Sequence, residues 1–200
     1  MASLANWISW IWHPLAMPLL TLMLLWATDG YLMHRPGLFA YLFLLLAINT
    51  LAPAISIWML KKKGVISDWD IRSRSERPLP FLLVWAYYLM AYVLVANSTS
   101  VEVPIFYQQV LLSLVVAIGV ALIVTWKAKI SMHMLAQGGM LGVHLHLAMT
   151  SGQWSLGWLS LLVLSSGLVA WSRLELMAHN AREVYAGFAL GLLTVWLTLW

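Results

Sequence analysis

Three polar stretches of an otherwise apolar chain hold almost every residue that could do chemistry. In the last, Arg173 is followed six residues later by His179 and four after that by Glu183, leading into a glycine-containing apolar segment. A histidine and an acid at i and i+4 can share one helical face. The carboxylate then holds one imidazole N–H and raises the basicity of the other nitrogen, which orients a nucleophile. The middle stretch runs from Lys127 through Lys129 and Ser131 to His133, a histidine beside a hydroxyl and two ammonium groups. The first runs from Lys61 to Pro78 and carries Asp68, Asp70, Arg72, Arg74, Glu76 and Arg77. Singly, each charge reads as a solvated loop residue, and Lys61–Lys63 as a topology signal and headgroup contact. His13 reads as a packing residue, and His144 and His146 as helix-packing or pore-side residues rather than a metal site; the last two stand two apart, so they face different sides of a helix.

The elements that must position these groups follow from composition. Of 200 residues, 62% are hydrophobic and 9% charged, with a mean hydropathy of +0.86. Soluble domains carry roughly 25% charged residues, so this chain has too few to cover a water-facing surface, and it is too hydrophobic to be disordered. The absence of cysteine excludes disulfides and thiolate chemistry. The formal charge of +4 points to lipid headgroups or a phosphate substrate rather than nucleic acid. A spanning helix needs about 20 mostly apolar residues. Such runs occur at Trp7–Thr28, Leu38–Leu60, Leu79–Val95 and Ile105–Trp126, with weaker ones at Met134–Thr150, Trp154–Trp171 and Val184–Trp200. The expected fold is therefore all-α: a polytopic membrane helix bundle of six or seven spans, with residues 1–200 in one integral membrane domain. The first run has the length of a span and lacks the basic start and small-residue cleavage site of a signal peptide. His13-Pro14 and Pro18 should kink it. Trp7, Trp10, Trp126, Trp154 and Trp200 sit at run ends, where tryptophan anchors at the interface.

Two spans separate the first polar stretch from the second, and two more separate the second from the third. An even number of crossings returns the chain to the same face, so loops 61–78, 127–133 and 173–183 meet on one side. Ten of the eleven Lys and Arg residues gather there, leaving Arg35 on the other.

In order and spacing these three motifs resemble those of the type 2 phosphatidic acid phosphatases, membrane lipid phosphatases related to the vanadium haloperoxidases. That pattern is Lys, six residues, Arg-Pro; then Pro-Ser-Gly-His; then Ser-Arg, five residues, His, three residues, Asp. The third motif matches through Ser172, Arg173 and His179, with Glu183 in the acid position. The second matches through Ser131 and His133, with Ile130 and Met132 replacing Pro and Gly; the first matches through Arg77-Pro78, with Asp70 where the Lys stands. The resemblance, from about residue 61 to the C-terminus, implies a small bacterial-type enzyme of the inner membrane. It would hydrolyse a phosphomonoester or diphosphate on a lipid such as phosphatidic acid, phosphatidylglycerol phosphate or undecaprenyl diphosphate. It implies that Arg77, Arg173 and Ser131 hold the phosphate and that His179 attacks phosphorus, oriented by Glu183. His133 would protonate the leaving alkoxide and then help water cleave the phosphohistidine. No metal or cofactor is implied, since arginines supply the positive charge. Asp70 would repel phosphate unless paired with Arg72 or Arg74, so Lys129 or one of those arginines, Arg74 included, is expected to supply the missing cation.

Two other readings compete. Asp68-x-Asp70 resembles the first acidic loop of intramembrane prenyltransferases, but a second acidic cluster to hold Mg²⁺ is missing. A catalytically weak lipid-phosphate binding or transport protein would share the fold. Sidedness pulls two ways: the positive-inside rule puts the basic loops in the cytoplasm, while the resemblance implies action on the outer face.

Overall fold

The computed structural model describes residues 1–28, 43–98, 103–151 and 156–200. Arg35, Trp154 and the start of the second expected span, at Leu38, lie outside the described residues. Within them the chain is helical, with no strand: α1 (Ala2–Ile11), α2 (Met17–Thr28), α3 (Phe43–Lys62), α4 (Pro78–Ala96), α5 (Ile105–Thr125), α6 (Met132–Ser151), α7 (Leu156–Glu175) and α8 (Ala181–Leu199).

Four of these, α3, α7, α5 and the helix that runs into α4 from Arg74, are long and apolar enough to cross a membrane. Six or seven such spans were expected, and the shortfall has a local cause in each remaining helix. The first run is broken rather than kinked. A residue before proline is disfavoured in the α region, and Pro14 has no N–H to give, so the chain turns through Trp12–Ala16 and neither α1 nor α2 is long enough alone. α6 has the length, but Gln137, His144 and His146 dilute its apolarity. α8 opens on Arg182 and Glu183.

Buried on nearly every side, α6 is the central helix of the bundle. It lies beside α8, and the two run parallel: Gly187 packs on the backbone of Ser131, Gly191 on that of Leu135, and Gly138 on that of Phe188. A Cβ at Gly138 or Gly191 would overlap a carbonyl oxygen of the facing helix. Small residues four apart are what let helices approach this closely in a membrane. Because the helices are parallel and in register, their N-termini, which carry His133 and His179, end up side by side.

Candidate active site

Each catalytic candidate is placed by a helix terminus. α7 ends in a Schellman arrangement: the N–H of Ala178 reaches the Arg173 carbonyl at 3.2 Å and that of Met177 reaches Leu174 at 2.9 Å. Met177 takes the left-handed conformation, φ 49°, that glycine usually fills. Asn180 then caps α8, its Oδ1 accepting the Glu183 N–H at 3.0 Å. His179 therefore precedes the helix instead of lying on its face, and it meets Glu183 because the cap folds the chain back. The imidazole Nδ1 lies 2.7 Å from Glu183 Oε2. An ionised carboxylate only accepts, so Nδ1 carries the proton and Nε2 keeps the lone pair. Burial pushes the His179 pKa down, and Arg173, Arg77 and Lys129 add to this against the upward pull of Glu183, leaving it at about 4. The ring is neutral at pH 7.

His179, His133, Arg77 and Arg173 line one cavity of about 590 Å³, together with His13, Ser9 and Asp70. The rest of its wall is largely apolar, with Leu15, Ile57, Phe81, Val84 and Ile118 among the residues on it. Arg77 is buried and donates through Nε to the Ile71 carbonyl and through Nη1 to that of Ile130, both at 2.9 Å. Among the described residues no carboxylate pairs with it directly; Glu183, Asp68 and Asp70 act on its charge only from farther away. A cation buried in this way favours a bound anion. Arg173 is equally buried, but it is paired: Nη2 lies 2.6 Å from Asp70 Oδ1, and Nη1 donates to Ser9 Oγ.

Other predicted residues do different work. Lys129 Nζ donates to the Ala178 carbonyl at 3.0 Å and stands 3.8 Å from Glu183, so it pins the His179 turn from behind. Arg74 donates to the Lys127 carbonyl at 2.7 Å and ties the first loop to the second. Neither lines the cavity. Ser131 is buried, its N–H donating to the Glu183 carbonyl at 3.1 Å, and its Oγ has no partner among the described residues. Asp70 pairs with Arg72, one of the two expected partners, at 3.7 Å, but its closer partner is Arg173, and Arg74 is turned toward Lys127. Burial alone would raise the Asp70 pKa, but Arg173 and Arg72 override it and hold the carboxyl below its usual value.

The sequence reading missed α1. Ser9 Oγ lies 3.2 Å from His133 Nε2, and the Ser9 carbonyl lies 3.1 Å from the same nitrogen. His13 stands edge-on to His133 at 5.6 Å between centroids. Ser172 Oγ anchors the helix by donating to the Ala5 carbonyl at 2.7 Å. The one available signal was a polar Ser9 between the apolar Ile8 and Trp10, four residues before His13. The chain matches no family model, no curated protein and no solved structure.

Proposed function

We propose that this chain is a membrane lipid phosphatase that hydrolyses a phosphomonoester or diphosphate through a phosphohistidine, without a metal. The observation that carries the reading is the shared cavity: one neutral histidine backed by a carboxylate, a second histidine and two buried arginines, against an apolar wall. In the reaction His179 Nε2 forms a bond to phosphorus while the bond to the lipid oxygen breaks. Arg77 and Arg173 stabilise the charge on the non-bridging oxygens. His133 takes the proton that the singly protonated phosphate brings and gives it to the departing alkoxide; it then takes one from the water that cleaves the phosphohistidine and returns it to the released phosphate. Glu183 holds the Nδ1 proton throughout.

In this proposal α6 and α8 cross the bilayer with the four longer helices, making six, and the broken α1–α2 pair forms the seventh element. The membrane is the bacterial inner membrane, and the lipid enters from its side toward the apolar wall. A binding or transport protein with weak activity is the second reading, favoured by one observation: Ser9 and Asp70 already occupy two donors of Arg173. The test is release of inorganic phosphate from phosphatidic acid, phosphatidylglycerol phosphate and polyprenyl phosphates by purified protein. Release by wild type but not by His179→Ala supports the enzyme. Binding without release supports the second reading, and undiminished release by His179→Ala removes the nucleophile assigned here.

A further inference from the structure

Asp70 is a carboxylate inside an anion site, and a charge count shows what it does there. The charged groups on the cavity wall are Arg77, Arg173 and Asp70. Lys129 and Glu183 lie behind His179 and offset each other. His179 is neutral, and with His133 and His13 neutral as well the cavity carries a formal charge of +1. Without Asp70 it would be +2, the charge that matches a phosphomonoester dianion.

Asp70 is also held in place. Its oxygen is 2.6 Å from Arg173 on α7, Arg72 of its own loop is 3.7 Å away, and Arg77, His13 and His179 interact with it electrostatically from the α4, α1–α2 and α7–α8 sides. The next residue, Ile71, sits in the left-handed region at φ 46°, a conformation that β-branched residues adopt only when the surroundings impose it. What imposes it is visible: the Ile71 side chain is buried and its carbonyl accepts from Arg77 Nε. Asp70 is therefore fixed by its ion pair with Arg173 and by its anchored neighbour Ile71, and a doubly charged phosphate in the cavity would face it at close range.

We propose that Asp70 is a specificity-determining residue that sets the site to take phosphate as a single negative charge, as in a phosphodiester or a singly protonated monoester. This rests on the phosphate-site reading above and narrows its ligand. The probes are dimethyl phosphate, a monoanion, and methyl phosphate, largely a dianion at pH 7.5 because the second pKa of a phosphomonoester is about 6. Calorimetric titration of the full chain in micelles should show wild type binding dimethyl phosphate at least as tightly as methyl phosphate. Asp70→Asn, which keeps the shape and removes the charge, should shift the ratio at least tenfold toward methyl phosphate. Asp70→Ser repeats the measurement if the amide disturbs folding. A tenfold wild-type preference for methyl phosphate, or an unchanged ratio in the folded variant, overturns the assignment of Asp70 alone. Binding of neither probe, or binding unaffected by Arg77→Ala, overturns both this inference and the phosphate site beneath it.

Discussion

Histidines stand at both ends of α6, and the two ends treat them differently. At the N-terminal end, His133 and the neighbouring His179 are surrounded by arginines, a carboxylate and a serine. About 20 Å along the helix, by its rise of 1.5 Å per residue, His146 stacks on Phe106 at 6.0 Å and meets the edges of Trp200 at 5.2 Å and Trp196 at 6.3 Å. Its Nδ1 has no hydrogen-bond partner among the described residues. The same side chain is thus a chemical group at one end and an aromatic filler at the other. What separates them is the neighbours: a carboxylate behind the ring fixes a tautomer and presents a lone pair, whereas rings around it do neither.

The largest effect that would break this contrast is on catalysis. His179→Ala should lower phosphate release by a thousandfold or more, as expected for loss of a nucleophile, while His146→Ala stays within threefold. Equal effects on initial rate would erase the distinction between the two ends. Next is the helix seam. Gly191→Val should prevent folding or cost several kcal/mol, because the new atoms meet the Leu135 backbone. Gly167→Val has open space around it and should be tolerated; thermal unfolding in detergent compares them.

A smaller effect concerns pH. His179 in the folded chain loses its proton near pH 4, against an ordinary value of 6.5. Between those values the unfolded chain binds the extra proton, so His179 contributes stability above about pH 6.5 that is lost as the pH falls toward 4. His179→Asn should flatten that part of the stability curve. The acid limb of wild-type activity should likewise fall near 4 rather than 6.5; a limb at 6.5 would show a ring that is not held neutral. Smallest is Met177→Gly, which relieves the left-handed residue closing α7 and should stabilise by about 1 kcal/mol, read as a rise in the unfolding midpoint.

Much of this arrangement was legible in the sequence. Parity of spans brought the three loops together, because it depends only on counting crossings. The His179–Glu183 contact was anticipated by spacing, although a cap at Asn180 makes it and a helical face does not. The destination of Asp70 was half legible: spacing pointed to Arg72 in its own loop, which does pair with it, whereas the closer partner arrives from α7, more than a hundred residues on. The part played by α1 was not legible, since nothing local distinguishes a Ser9 that faces arginine from one that faces a helix backbone. The glycine seam was not read from the sequence either: Gly138 and Gly142, like Gly187 and Gly191, stand four apart, but that spacing names no partner.

The glycine seam has a mechanical consequence. With backbone against backbone along α6 and α8, the two helices have no side-chain cushion to slide on, so His133 and His179 travel as one stiff unit. On the proposed reading the lipid enters beside Trp10 and Trp69, exposed residues of the cavity wall, rather than between α6 and α8.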